Sequence, residues 1–356
     1  MRITRIESRF EHLALARPYT IASHTVSDVA LGFVEIHGEH GAVGRGSAAP
    51  DEWVTAETDA DCRGALTSDA LDWLVGRDVR TLPALARELA RTMGSTPAAR
   101  AAVDGALHDL LGQCLGLPTV ELLGRAHASL PTSITIGIMS VEDALTETDE
   151  HLGRGFRALK VKLGRSVEED IERVARIRER VGGAATIRVD PNQGYAVDDL
   201  RRFVATTADL DIELIEQPLP ADASAAMRGL PPEIRHRLAA DESVLGEADA
   251  FALAVPPAAC GILNVKLMKC GGVWAGRRIA DLAEIAGLDL MWGCMDESVV
   301  SIAAALHAAL ASPATRYLDL DGSFDLGRDV ADGGFVLEDG CMRTVDAPGL
   351  GLSALD

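Results

Sequence analysis

Lysine is nearly missing from this chain. It carries 34 lysine and arginine residues together, yet only Lys160, Lys162, Lys266 and Lys269 are lysine. These four fall in two short stretches, ALKVKLG (158–164) and NVKLMKCGG (264–272). Arginine keeps its proton in a protein, whereas an amine can release one when its surroundings depress its pKa. A chain that writes arginine almost everywhere and lysine in two places points to proton transfer at those places.

Other shortages narrow the class. Basic residues are outnumbered by 54 acidic ones, leaving a net charge of −20 and a pI near 4.8. That balance excludes nucleic acid and anionic membrane surfaces as partners, and it is compatible with a cationic substrate or with simple solubility. No apolar run is long enough to span a bilayer, and the opening MRITRIESRFEHLAL lacks the basic-then-apolar pattern of a signal peptide. The six cysteines form no CxxC and no dense framework. A reducing cytoplasm is therefore the expected compartment. At 356 residues, 47% hydrophobic and 25% charged, the chain has the composition of a soluble globular protein with one large core and a smaller second domain.

Residues 2–50 read as antiparallel strands, with a turn at HGEHG (37–41). The glycines of GAVGRG (41–46) superficially suggest a nucleotide loop, but no helix opens after them, so that reading is rejected. Residues 53–116 have helical periodicity broken at Pro83 and at 94–97, with Thr96 as N-cap and Pro97 at the first helical position. This half, residues 1–128, is predicted to be an α+β domain. From about Leu130 short apolar strands alternate with amphipathic helices, which implies a parallel sheet.

The polar residues ending those strands recur at a near-constant period. Lys162, Asp190, Glu216, Asp241, Lys266, Gly293 and Asp321 follow one another at intervals of 28, 26, 25, 25, 27 and 28 residues. Such a period over about eight strands predicts a (β/α) barrel over residues 129–322, with function at the strands' C-terminal ends. Residues 323–356 are expected to pack back on the first domain. Numbered from Ser133, Lys162 ends the second strand and Lys266 the sixth, diametrically opposite in an eight-membered ring. Asp190, Glu216 and Asp241 fill the arc between them, and Asp319 and Asp321 end the eighth strand.

Three convergent carboxylates are costly unless a cation neutralises them. Hard oxygens with room left for water and substrate suit Mg²⁺. The competing reading is that an Asp merely caps the helix that follows. A metal flanked by two amines implies removal of the α-proton of a bound carboxylate from one face and its return on the other. Lys162 and Lys266 are the candidate bases. Lys160 points to the same face as Lys162 and is given an electrostatic role, with contact to the substrate carboxylate. For Lys269 a structural salt bridge and catalysis stay open.

These residues resemble the enolase superfamily, muconate-lactonizing subgroup. KVK at Lys160–Lys162, DPN at Asp190–Asn192, EQP at Glu216–Pro218, DES at Asp241–Ser243 and KLMKCGG at Lys266–Gly272 match in order, spacing and strand placement. Within the subgroup TSITIGI, GCMDES (293–298) and DLDG (319–322) are most similar to the dipeptide epimerases of the Ala-Glu kind. The resemblance implies Mg²⁺, a capping domain from the N-terminal residues and an α/β modified TIM barrel of (β/α)7β type. It also implies that Asp319 and Asp321 hold a dipeptide's free ammonium, with Thr135 and Asp296 beside the substrate. Relatives specific for Ala-Glu carry an arginine where His24 aligns, and Ser47 stands where a glutamate is common. The rim positions Asp28, Asp51, Glu52 and Asp296 are acidic, so the substrate side chains are expected to be neutral or cationic rather than acidic. N-acyl amino acid racemase, o-succinylbenzoate synthase and muconate cycloisomerase remain as alternatives, as does a catalytically silent metal-binding relative. The partner expected is a small-molecule dipeptide, with self-association left open.

Overall fold

In the computed structural model, which describes residues 1–20 and 25–356, β1 (Ile3–Thr20), β2 (Thr25–Gly38) and β3 (Val43–Ala48) form an antiparallel sheet in that order. His24 lies outside the described residues. The helix Pro97–Leu115 lies directly on β3. That contact explains GAVGRG. A methyl group at Gly44 would stand 2.0 Å from the carbonyl oxygen of Ala106, and one at Gly46 would stand 1.9 Å from that of Ala102. The glycines admit a helix, not a phosphate.

Pro97 does open this helix, but Thr96 makes no side-chain cap. The carboxylate of the buried Glu57 takes that role, accepting from the backbone N–H of Ala98 (2.6 Å) and Ala99 (3.1 Å). A ligand supplied from 41 residues upstream has no local signature, whereas Thr-Pro does.

After the two-residue strand β4 (Leu130–Pro131) come eight parallel strands: β5 (Ile134–Ile136), β6 (Ala158–Lys162), β7 (Thr186–Asp190), β8 (Ile212–Glu216), β9 (Leu238–Ala240), β10 (Ile262–Val265), β11 (Asp289–Gly293) and β12 (Thr315–Asp319). They are hydrogen-bonded in sequence order. A parallel bridge between Thr132 and Leu318, with Ser133 N–H donating to Leu318 O at 3.0 Å, nearly closes the ring. Helices connect successive strands, and after β12 the chain makes a short 3-10 turn, Gly322–Phe324, in place of an eighth helix. This is an α/β barrel of (β/α)7β type beside a separate N-terminal sheet.

The last strand ends at Asp319 rather than Asp321. Leu320 N–H donates to Thr132 Oγ1 (2.9 Å) instead of the ladder, and Asp321 takes a helical backbone (φ −93°, ψ −8°) that starts the turn. The strands β13 (Phe335–Glu338) and β14 (Cys341–Thr344) form a hairpin that adds to β4. Beyond it, Leu350 N–H donates to the buried Asp109 of helix Pro97–Leu115 (2.7 Å).

The apolar helix Val299–Ala309 is buried along its whole length. Its His307 accepts from the backbone N–H of Val120 through Nδ1 (2.9 Å), tying the barrel to the N-terminal half. Burial depresses the pKa of His307 to about 3 and that of His151 to about 4. An imidazole whose folded pKa lies below its unfolded value of about 6.5 favours the fold when neutral. This contribution is present above about pH 6.5 and is lost as pH falls from there towards the folded values. Through His307 alone the loss at pH 5 is roughly 2 kcal/mol. Buried carboxylates with raised pKa, Glu216 and Asp321 among them, act in the opposite sense, so the histidine contribution is read as a difference between variants. Between pH 7 and 5 the unfolding midpoint of His307→Asn, which keeps an acceptor for Val120 without titrating, should drop less or rise more than that of wild type. Parallel curves would contradict the assignment.

Candidate active site at the mouth of the barrel

Parallel register places Lys162 directly beside Asp190. Lys162 Nζ donates to Asp190 Oδ2 (2.7 Å) and to Asn192 Oδ1 (3.1 Å). Lys160, two residues earlier and so on the same face, is buried on the barrel axis. Its Nζ lies 2.8 Å from Asp319 Oδ2, 2.8 Å from Glu216 Oε2 and 3.3 Å from Asp190 Oδ2. Across the ring, Lys266 Nζ sits 2.9 Å from Asp241 Oδ2. The structure thus brings Lys160, Lys162, Lys266, Asp190, Glu216, Asp241 and Asp319 into one charged cluster.

Lys269 is buried and pairs closely with Asp241 Oδ1. It also donates to the backbone oxygens of Asp241 (2.6 Å) and Asn264 (3.1 Å). All three of its protons are thereby engaged, which makes it a strut between β9 and β10. Asn264 was not singled out from sequence, yet its Nδ2 donates to Glu216 Oε1 at 2.8 Å. An asparagine on an otherwise apolar strand, ILNV, is the signal that could have found it.

Burial acts on every one of these groups, and their neighbours decide the outcome. Glu216 is pushed up to about 8 by burial and by the Asp190 carboxylate. Burial would raise Asp241 as well, but Lys266 and Lys269 hold it well below the usual carboxylate range. Burial pulls Lys160 down, and the carboxylates of Asp319, Glu216, Asp190 and Asp241 overcome it to hold the ammonium well above its ordinary value. Lys266 is likewise raised, because Asp241 outweighs burial.

Asp319 and Asp321 read as a pair in sequence, but their surroundings separate them. Asp319 accepts from Ser133 Oγ (2.6 Å) and from Lys160 Nζ (2.8 Å) and is lowered in pKa by that ammonium despite its burial. Asp321 accepts from Thr135 N–H (2.8 Å) and touches the Cys294 thiol (4.0 Å). Among the described residues it has no ion pair, and burial together with Asp319 pushes it up to about 7. Of the two, Asp319 is paired with an ammonium and Asp321, among the described residues, is not.

The cluster floors a cavity of ≈ 710 Å³. Lys160, Lys162, Asp241, Lys266, Asp319 and Asp321 line its base, with Thr135 beside them. Asp190 and Glu216 lie beneath it, fully buried. Asp28, Asp51, Glu52 and Asp296 line it nearer the outside, as the sequence suggested. Glu147, Glu150 and Asp325 join them without having been picked out. Two arginines face them: Arg17 is already bound to Glu147 (2.9 Å) and Glu150 (3.3 Å), and Arg154 packs over the Phe156 ring. The rim presents a surplus of negative charge.

The sequence matches the mandelate racemase / muconate lactonizing enzyme N-terminal domain over residues 5–124 and the enolase C-terminal domain-like family over residues 143–355. The L-Lys-D/L-Arg epimerase of Methylococcus capsulatus is 61% identical over 352 residues, covering 99% of either chain. The enzyme of the same name from Desulforapulum autotrophicum is 52% identical over the whole of both chains. The crystal structure of the Methylococcus capsulatus dipeptide epimerase complexed with Mg and the dipeptide L-Arg-D-Lys superposes with a TM-score of 0.98 at 60% identity, covering 99% of this chain and 100% of that one. Family matches over both halves, and relatives alike from end to end, place the chain in the mandelate racemase / muconate lactonizing enzyme family of the enolase superfamily.

Proposed function

We propose that the protein is a dipeptide epimerase that inverts the α-carbon next to the substrate carboxylate and prefers dipeptides with cationic side chains. The observation that carries the reading is the placement of Lys162 and Lys266 at opposite ends of a buried carboxylate arc, one at the end of the second strand and the other just past the sixth of an eight-strand ring. The end-to-end likeness to Lys/Arg epimerases and the acidic rim support the cationic preference.

Asp190, Glu216 and Asp241 are the residues that would hold Mg²⁺. The fit rests on their chemistry: three buried hard-oxygen donors at the ends of successive strands, with Glu216 Oε2 met by the Lys160 ammonium at 2.8 Å. When bound, the ion supplies positive charge that stabilises the substrate carboxylate as the α-proton leaves and offsets the negative charge that raises the neighbouring amines.

The rest is work for side chains of this chain. On this reading a neutral Lys162 takes the α-proton of one epimer, while protonated Lys266 delivers one to the opposite face. For the other epimer the roles exchange. Lys160 stays charged and balances the carboxylates beneath the substrate. Asp321, assisted by Asp319, receives the free α-ammonium. Thr135 aligns Asp321, and the rim acids Asp28, Asp51, Glu52 and Asp296 receive the cationic side chains. Residues 1–128 act as the cap, 129–322 as the catalytic barrel and 323–356 as the segment that closes one on the other. The protein is taken to act in the cytoplasm. All six cysteines are free thiols, and no helix among the described residues is long and apolar enough to cross a membrane.

Three outcomes are expected. Turnover of L-Lys-L-Arg followed by polarimetry should exceed that of L-Ala-L-Glu by about 10²-fold in kcat/KM. A preference for Ala-Glu would sink the cationic reading. Asp321→Asn should lower kcat/KM on dipeptides by about 10²-fold, because a buried charge pair with the ammonium is lost. Equal activity would move the ammonium elsewhere. Excess Mg²⁺ should raise the thermal unfolding midpoint of wild-type protein and not that of Asp241→Asn. An identical shift in both would displace the metal from this arc.

A further inference from the structure

The two candidate bases are held in place by different parts of the molecule. Lys162 is fixed from within the barrel. Leu163 N–H donates to Asp190 O (2.9 Å) and Gly164 N–H to Asp170 Oδ2 (2.8 Å). Tyr195 donates its hydroxyl to the same Asp170 oxygen (2.9 Å). Every partner lies between residues 162 and 195.

Lys266 is fixed differently. It is the residue immediately before the one-turn helix Leu267–Cys270, which the chain leaves through Gly271 and Gly272. That turn is gripped by the cap. Arg100, on helix Pro97–Leu115, donates through Nη2 to Cys270 O at 2.7 Å. One turn further along the same helix, the buried Asp104 accepts from Trp274 N–H at 3.0 Å, at the start of helix Val273–Ala286. His108, another turn on, sets its Nδ1 3.4 Å from the same Asp104 carboxylate. From the cap sheet, Ala49 N–H reaches Met268 Sδ at 3.2 Å.

The fit is close enough to dictate sequence. A methyl at position 271 would stand 1.8 Å from Arg100 Nε, and one at 272 would stand 2.5 Å from Asp104 Oδ2. Both glycines also hold a positive φ, +83° and +114°. The double glycine after the second lysine pair lets cap side chains reach the backbone of the turn carrying Lys266.

We propose that Arg100 and Asp104 are positioning residues for Lys266, so that the half of the reaction run by Lys266 depends on the cap helix and the half run by Lys162 does not. The inference rests on the assignment of Lys162 and Lys266 as the two bases. Neither Arg100 nor Asp104 touches the reacting atoms. They set where the amine begins, and a displacement of about 1 Å at a reacting group costs up to about 10²-fold in rate.

The test is α-proton exchange in D₂O with Mg²⁺, measured by NMR separately from L-Lys-L-Arg and L-Lys-D-Arg. Arg100→Met keeps the aliphatic stem over Gly271 and removes the donor, and Lys266→Ala identifies which epimer depends on Lys266. In Arg100→Met, exchange from that epimer should drop about tenfold, while exchange from the other drops less than about twofold and KM stays within about twofold. Arg100→Lys, which can donate to Cys270 O, should recover most of the loss. Asp104→Ala should show the same bias by an independent contact. An equal drop from both epimers, or none, in both variants overturns the proposal while leaving the bases standing. If Lys266→Ala itself reduces both epimers equally, the base assignment falls and the clamp with it. If wild-type protein exchanges neither dipeptide, the reading of function is overturned.

Discussion

Asp190, Glu216, Asp241 and Asp319 cannot all stay ionised inside a barrel unless positive charge stands among them, and Lys160 stands at that point. Its ammonium is within 3.3 Å of three of these carboxylates and is buried with them. A carboxylate stripped of water costs several kcal/mol unless paired. The lysines divide that burden. Lys160 balances the centre, Lys162 takes Asp190, and Lys266 and Lys269 share Asp241. Glu216 is left as the least compensated member, and its raised pKa is the mark of that. Replacing Lys160 with a neutral group would strand Glu216 and Asp319, which have no other ion pair among the described residues, whereas Asp190 and Asp241 each keep a second lysine.

The second constraint is the close approach of cap to barrel. Glycine at 44 and 46 lets helix Pro97–Leu115 lie on the cap sheet, and glycine at 271 and 272 lets the same helix reach the turn behind Lys266. One helix therefore packs a domain with one face and grips the site with another. Its buried Asp104, His108 and Asp109 are out of place in a helix read as mere filling, and each has a partner across a boundary or along the helix.

Charge at regular spacing made the barrel legible in the sequence. Strand ends carrying Lys, Asp, Glu, Asp and Lys at a nearly constant interval betray both the fold and its functional edge, because packing alone asks for none of those side chains there. The scarcity of lysine singled out the candidate bases, and the structure resolves Lys269 into a strut by filling all its donor positions. What the sequence could not disclose depends on distant partners. Glu57 caps a helix that Thr96 seemed to cap. Ser133 and Lys160 occupy Asp319, while Asp321 has no ion pair among the described residues. The rim acids Glu147, Glu150 and Asp325 face the cavity only because of where a helix and a turn happen to lie. In a chain with 54 acidic residues, no local pattern sets them apart. The departure at His24 stands where it did, since that residue lies outside the described ones.

The central claim is that two amines, one on each face, exchange a proton with an α-carbon held between them. The most direct measurement is the isotope content of the first product formed in D₂O from a protiated dipeptide. Two opposed bases predict that the inverted product carries solvent deuterium at the α-carbon from the first turnover. Product that forms by inversion yet keeps its original proton would mean one base carrying it across, and would contradict the account.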